Sequence, residues 1–85
     1  MKKIIVDKQK FQKLLIKRYG KFIKDDERIT LRLYTMLAIE CDVDMRTIYN
    51  FTNSTFSTKL LKNIVNALNI SNEDFKELIY FEEEK

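Results

Sequence analysis

A chain of 85 residues with one glycine and no proline has very few residues suited to tight turns. Folds built from β-strands need many such turns, which depend on Gly, Pro, Asn and Asp at special backbone dihedrals. Helices can instead be joined by loops of Asn, Asp, Ser and Thr, which this chain contains. The length fits one domain, and hydrophobic residues at 45% suffice for a core. We therefore expect a single, compact all-α domain over residues 1–85.

The residue types that are rare in this chain also argue against several functions. One cysteine forbids an internal disulfide, and the lack of histidine beside that single cysteine removes the usual zinc ligands. Without histidine there is no Ser/His/Asp or Cys/His arrangement, and one glycine does not make a phosphate-binding loop. We therefore expect no enzyme activity, no metal and no cofactor. No apolar run approaches the roughly 20 residues of a membrane span, and the N-terminal tract IIV is too short for a signal peptide. We expect a cytoplasmic protein with no membrane partner.

The charged residues are distributed unevenly along the chain. Residues 1–24 carry a net charge of +8, residues 25–70 of −1 and residues 71–85 of −4, although the whole chain carries only +3. A basic segment of this kind is typical of a protein with a polyanionic partner. A solvated, lysine-rich helix face explains the same pattern equally well. The acidic end of the chain is interpreted as a solvated tail.

Apolar residues at helical spacing predict five helices. The first begins after Asp7, a good N-cap, and extends to about residue 24. Gly20 is the residue expected to end or kink this helix in the left-handed conformation. Acidic side chains at 25–27 precede the second helix, where its N-terminus favours negative charge. The second helix is expected to end near residues 41–42.

Polar residues mark the boundaries of the last three helices. Asp44 is expected to cap the third helix with its carboxylate. The fourth helix is predicted over about 58–68 and ends at Asn69, which tolerates the left-handed conformation. Ser71 begins a fifth helix, predicted over about 72–82.

The aromatic residues are interpreted mainly as core. Two tyrosines, Tyr34 and Tyr49, are expected to be exposed from their helical projection. Core positions are expected for Phe11, Tyr19, Phe22, Phe51, Phe56 and Phe75.

The segment LAIECDVDMRTIYNF, residues 37–51, meets the requirements of a helix-turn-helix unit. Two steeply crossed helices need a small residue at their closest approach, which is Ala38. Four positions later the turn needs a residue that tolerates positive φ, and Asp42 can supply it. Val43 is the apolar residue just past the turn. Ile48 and Phe51 form the inward pair on the second helix of the unit.

These residues resemble the lambda repressor/Cro-like (XRE-type) helix-turn-helix DNA-binding domain. The loop TNSTFSTK and the helix LLKNIVNALNIS follow this segment. Residues 67–71 (ALNIS) match the sequence pattern that this family has at the end of its fourth helix. The likeness covers about half of the chain. The chain departs from the family pattern at Asp42, where glycine is usual, at Asp44, where serine is usual, and at residues 51–54. The resemblance implies a five-helix fold with the helix-turn-helix over about 31–53.

The resemblance also implies a sequence-specific transcription regulator that binds double-stranded DNA with its third helix, about residues 44–52, in a major groove. Small proteins of this type often belong to phages, plasmids or other mobile elements, and they commonly bind as homodimers. The side chains expected to read base edges are Met45, Arg46, Tyr49 and Asn50. The side chains expected to contact the DNA backbone are Tyr34, Thr35, Asn53, Ser54, Thr55, Thr58 and Lys59.

The reading helix is poor in positive charge, because Arg46 is the only basic residue between positions 34 and 58. Phosphate neutralisation therefore depends on an additional basic arm and first helix, for which the candidates are Lys2, Lys3, Lys13 and Lys17. The alternative function is a protein-interaction adaptor, such as an antitoxin-like or inhibitor protein, that has this fold without reading DNA sequence. For the dimer surface, the fifth helix with Tyr80 and Phe81 and the apolar tract at residues 4–6 remain equal candidates.

Overall fold

Helices dominate the fold, and a small sheet joins the two ends of the described chain. The computed structural model describes residues 2–22 and 29–83, so the end of the first predicted helix at 23–24, the acidic residues 25–27 and the last two residues lie outside the described part. None of the helices in these two ranges is long and apolar enough to cross a membrane. The elements are β1 (Lys2–Val6), α1 (Lys8–Tyr19), a 3₁₀ turn (Gly20–Phe22), α2 (Ile29–Cys41), α3 (Met45–Thr52), α4 (Thr58–Leu68), α5 (Asn72–Leu78) and β2 (Ile79–Glu83).

Short polar side chains set most of the helix boundaries. The side chains of Asp7, Ser57 and Ser71 each accept a hydrogen bond from the backbone N–H three residues on, at 2.9, 3.1 and 3.1 Å respectively. Asn69 ends α4 in the left-handed conformation, with φ 51° and ψ 52°. Asp44 occupies the N-cap position of α3, but its carboxylate makes no capping hydrogen bond, contrary to expectation.

The end of α1 differs from the sequence prediction. Gly20 has φ −55° and ψ −35°, so it is right-handed and the predicted left-handed cap is wrong. The chain instead tightens into the 3₁₀ turn Gly20–Phe22, which requires no positive φ. This turn carries Phe22 out of the core, and its side chain is 61% exposed where a buried ring was expected.

The two strands correct the prediction of a purely helical fold. β1 pairs with β2 in antiparallel register, from Val6 opposite Ile79 to Lys2 opposite Glu83. The helix predicted over about 72–82 therefore ends at Leu78. The tract that follows is rich in Ile, Tyr and Phe, which favour strands, and β1 offers it a partner whose lysines lie opposite its glutamates. Pairing with the other end of the chain thus replaces the last turn of helix.

One core includes side chains from all five helices. Val6 of β1 is also buried in it, which attaches the sheet to the helices. The largest fully buried side chains are Phe11, Leu15, Leu33, Leu37, Ile48, Phe51, Ile64 and Leu78.

Candidate nucleic-acid interface

The turn between α2 and α3 is short and internally hydrogen-bonded. Asp42 has φ 55°, which confirms the positive φ expected there. Its N–H donates to the carbonyl of Ile39 at 3.2 Å, and the N–H of Val43 donates to the carbonyl of Ala38 at 3.0 Å. Ala38 is only 4% exposed, as a residue at the closest approach of two helices must be. The structure therefore has a tight turn between two helices at the residues where the sequence predicted one.

The inner face of α3 is held by buried rings and aliphatic chains. Ile48 and Phe51 are fully buried, as predicted. The Phe51 ring packs against Phe11 of α1 and against Phe56, with centroids 5.0 Å apart in both pairs. Thr52 is also buried and donates its hydroxyl to the carbonyl of Tyr49 at 2.7 Å. These contacts fix which side of α3 faces outward.

The outward side of α3 carries three of the four predicted base-reading residues. Arg46, Tyr49 and Asn50 are exposed, and their spacing of three and four residues places them on one side of the helix. Within residues 2–22 and 29–83, no carboxylate lies within ion-pair distance of Arg46. Met45 differs from the others because it is half-buried and packs against the core. The three exposed residues are defined here as the α3 face.

Tyr34 does not lie where its projection suggested. Its side chain is only 7% exposed, so the predicted exposure is wrong and most of the ring is unavailable to a DNA backbone. The ring lies between Phe11, at 5.8 Å, and Tyr49, at 5.2 Å in an edge-on arrangement. Burial, and then the neighbouring Tyr49, raises the pKa of the Tyr34 hydroxyl. Tyr34 therefore supports Tyr49 of the α3 face from beneath.

Two other predicted backbone contacts already use their hydroxyl groups within the protein. Thr35 donates to the carbonyl of Leu31 at 2.8 Å, one turn back in α2. Ser54 has φ 67°, and its hydroxyl oxygen accepts the N–H of Val6 at 3.0 Å. Ser54 therefore joins the loop after α3 to the sheet.

The remaining predicted backbone contacts surround a polar groove between α3 and the start of α4. Asn53, Thr55, Thr58 and Lys59 are all exposed. Thr55 and Lys59 line the groove together with Asn50 of the α3 face. Several other lining residues, among them Thr47 and Asn63, were not predicted as site residues. Thr47 was discoverable, because it lies one turn before Asn50 on the same helix.

The basic charge of α1 is partly neutralised by acidic residues distant in sequence. Lys10 Nζ lies 2.9 Å from Asp74 Oδ1 and 2.7 Å from Glu77 Oε2 of α5. Hydrogen bonds to Glu77 and then Asp74 raise the pKa of Lys10, and the hydrogen bond from Lys10 lowers the pKa of Asp74. Arg18 forms an ion pair with Glu40 of α2, with 3.2 Å between nitrogen and oxygen. Two basic side chains of α1, Lys10 and Arg18, therefore have acidic partners within the described part of the fold.

Two of the four lysines proposed as a basic arm, Lys13 and Lys17, lie on the side of α1 that points away from α3. Phe11 points from α1 toward Phe51 on the inner side of α3. At about 100° of rotation per residue, Lys13 and Lys17 lie about 160° and 120° away from Phe11 around α1, so they point away from α3. Lys2 and Lys3 belong to β1, opposite Glu83 and Glu82. Residues 2–6 are therefore a paired strand and not a separate arm.

No protein-family model, no curated protein and no solved structure matches this chain. Within the described residues, no group of three or more His, Cys, Asp and Glu side chains can hold a metal ion. Cys41 is half-buried, and that burial raises the pKa of its thiol, which disfavours the reactive thiolate. The function proposed for this chain therefore depends on the geometry of its surface.

Proposed function

We propose that this chain is a sequence-specific DNA-binding transcription regulator of the helix-turn-helix type, with α3 in the major groove of double-stranded DNA. The observation that carries the proposal is the α3 face. It presents a guanidinium, a phenol and a carboxamide together on one side of a short helix whose other side is fully buried. Such a helix fits a major groove, which is about 12 Å wide.

Each residue of the α3 face has a chemistry suited to a base edge. The guanidinium of Arg46 matches the two acceptors of guanine, O6 and N7. The carboxamide of Asn50 matches the donor and acceptor that adenine presents at N6 and N7. Tyr49 is 42% exposed and presents an apolar ring edge for contact with a thymine methyl group. The packing of Tyr34 against the Tyr49 ring limits the orientations of that ring, which favours a defined contact.

The polar groove beside the α3 face supports contacts to phosphate. Lys59 supplies a positive charge and Thr55 a hydroxyl to the lining of this groove, while Asn53 and Thr58 are exposed on the segments next to it. Contacts of this kind set the position of the protein on the duplex without reading its sequence. Because Tyr34, Lys13 and Lys17 are buried or point away, the proposal leaves them out of the interface.

The regulator acts as a homodimer in this proposal. A single eight-residue reading helix contacts too few base pairs to select one site among many, and two-fold dimers solve this by reading two half-sites about 34–36 Å apart. A dimer also doubles the number of phosphate contacts, which matters for a protein with few basic residues near its reading helix.

Selection of bound duplexes from a random library tests the proposal directly. We expect enrichment of a two-fold symmetric site whose half-sites contain guanine and adenine at the positions read by Arg46 and Asn50. Recovery of duplexes with no common sequence, under conditions where the protein is folded, would reject sequence-specific binding.

One observation favours a second candidate function, the protein-interaction adaptor. The α3 face carries a single basic residue, while Tyr49 within it and the half-buried Met45 next to it supply apolar surface suited to a protein partner. A salt titration of binding to random duplex DNA separates the two functions. Affinity for DNA that falls steeply with salt favours the regulator. No measurable DNA binding at low salt favours the adaptor.

A further inference from the structure

The strand β2 has an open backbone edge. In an antiparallel pair, hydrogen-bonded and non-bonded positions alternate along the strands. The N–H of Asp7 donates to the carbonyl of Leu78 at 2.8 Å, which identifies that position as a bonded one. Counting along the register, Phe81 opposite Ile4 is a non-bonded position, so the N–H and carbonyl of Phe81 point away from β1. No described residue hydrogen-bonds these two groups.

The outer edge of β1 is different, because another part of the fold occupies it. The N–H of Val6 points away from β2 and donates to the hydroxyl of Ser54 at 3.0 Å. Val6 is the next position after the bonded pair Asp7–Leu78, so the alternation of bonded and non-bonded positions requires its N–H to point away from β2. The sheet therefore has one edge partly closed by the loop after α3, and a second edge, β2, where no described residue hydrogen-bonds the outward groups of Phe81.

The side chains next to the open edge are apolar and exposed. Phe81 is 64% exposed, and its cross-strand partner Ile4 is also exposed. Both lie on the side of the sheet that carries Val6 into the core, because directly opposed residues share a face and faces alternate along a strand. An exposed apolar edge strand is a ready template for pairing with another chain.

We infer that β2 pairs with β2 of a second copy of this chain, antiparallel and centred on Phe81, to form one four-stranded sheet across the dimer axis. In this register each Phe81 exchanges backbone hydrogen bonds with the other Phe81. The outward N–H of each Glu83 donates to the outward carbonyl of Ile79 in the other copy. The N–H of Ile79 is not needed, since it already donates to the carbonyl of Phe75.

Charge selects this register over its neighbours. Moving the centre by one or two residues toward the acidic end sets Glu82 opposite Glu82 or Glu83 opposite Glu83, and like charges directly opposed destabilise a sheet. Centring on Phe81 sets Tyr80 opposite Glu82 and Ile79 opposite Glu83, so no two carboxylates are directly opposed. It also places Ile4 and Phe81 of both copies in one continuous apolar row.

The inference rests on the homodimer of the proposed function and names its surface. A two-fold axis at β2 lies at the edge of the sheet opposite the one that the loop after α3 contacts through Ser54. An edge of five residues buries little surface, and interfaces below about 1,200 Å² are characteristic of weak complexes. We therefore expect a dimer that dissociates on dilution. Because the following tests contain no DNA, their failure is distinguishable from a failure to bind DNA.

Sedimentation equilibrium of the full chain over a concentration series is the first test. We expect a monomer–dimer equilibrium for the wild type and a monomer at all concentrations for Phe81→Glu, which opposes two carboxylates at the axis. Phe22→Glu is the matched control, since Phe22 is similarly exposed but lies at the end of α1. A monomeric wild type at every concentration overturns the inference, and so does a Phe81→Glu variant that still dimerises.

Cysteine cross-linking tests the register and remains decisive if Phe81→Glu does not fold. In a Cys41→Ser background, Phe81→Cys sets two cysteines directly opposite each other, about 5.5 Å apart at Cα, within the range of a disulfide. In Tyr80→Cys the two cysteines are two residues out of register. Their Cα atoms are more than about 7 Å apart, which is too far for a disulfide to form. We expect an oxidised dimer from the first variant only. Cross-linking of both variants to the same extent, or of neither, rejects the register.

Discussion

Phe11 of α1 and Phe51 of α3 pack edge to face, with centroids 5.0 Å apart and ring planes at 62°. This contact joins the first helix to the inner side of α3. It also sets the direction of the charged side chains on both helices, because whatever lies opposite Phe11 on α1 points away from α3. Lys13 and Lys17 of α1 therefore point away from α3.

Removal of the Phe51 ring is expected to cost most of the stability of this domain. Phe51→Ala leaves a cavity against both Phe11 and Phe56, and such changes cost about 3–5 kcal/mol. Since small domains are stable by only about 5–15 kcal/mol, the variant should unfold at low urea concentration. Phe22→Ala, at an exposed ring, is the control and should change the free energy of unfolding by less than about 0.5 kcal/mol. Equal losses for the two variants in urea titrations would contradict the buried position of Phe51.

Arg46→Ala is expected to weaken binding to the selected DNA site by about 1–3 kcal/mol and to relax the preference at one base pair. Lys13→Ala removes the same charge from the side of α1 that points away from α3, so we expect little change in affinity. Fluorescence anisotropy with the selected site and with a variant of that site measures both effects. If the two substitutions weaken binding equally, the loss of positive charge explains the effect and Arg46 does not recognise a specific base.

Ser54→Ala is expected to loosen the attachment of the sheet to the helices. The change removes the acceptor of the Val6 N–H, and loss of one hydrogen bond at a part-buried site costs about 1 kcal/mol. Ser54→Gly also loses this bond but relieves the positive φ at residue 54, so it should cost less than Ser54→Ala. Hydrogen exchange of the Val6 amide reports the bond directly. Unchanged protection of that amide in Ser54→Ala would show that Ser54 does not hold β1.

The ion pair between Asp74 and Lys10 is expected to stabilise the fold over a defined pH range. The pKa of Asp74 is lowered in the folded state, so its contribution is present above the unfolded value of about 3.9 and is lost as the pH falls through the lower folded pKa. The pKa of Lys10 is raised, so its contribution is present below about 10.4 and is lost as the pH rises through the higher folded pKa.

Asp74→Asn should therefore lower Tm at neutral pH, and the difference from the wild type should vanish in strong acid. Glu73→Gln is the control, because Glu73 lies in the same first turn of α5 and has no ion-pair partner among the described residues. Thermal unfolding from pH 2 to pH 9 measures the effect. A difference in Tm between Asp74→Asn and the wild type that persists unchanged at pH 2 would assign the stabilisation to something other than charge.

The helix boundaries were the most predictable part of the fold. The starts of α1, α4 and α5, the left-handed residue at Asn69 and the turn at Asp42 depend on bonds within a few residues of each other. The buried side of α3 was equally predictable, since Ile48 and Phe51 follow helical spacing. Features of this kind can be predicted from the sequence, because the hydrogen bonds and the periodicity that produce them involve only residues close together in the chain.

The candidate site was predictable only in part. Arg46, Tyr49 and Asn50 share an exposed side of α3, as helical projection predicted. Tyr34 was placed wrongly because the projection of a single helix does not say how far the neighbouring helices extend over it. The role of Ser54 was missed for a similar reason, since its partner Val6 lies 48 residues away.

The order of residues by itself determined where the helices begin, which of their sides are apolar and where the chain turns between α2 and α3. The tertiary structure alone decided that residues 2–6 and 79–83 form a sheet, that acidic side chains of α5 neutralise Lys10, and that Lys13 and Lys17 of α1 point away from α3. The physical reason is the range of the interactions. A helix closes its hydrogen bonds four residues away, whereas a strand needs a partner that only the folded chain brings alongside it.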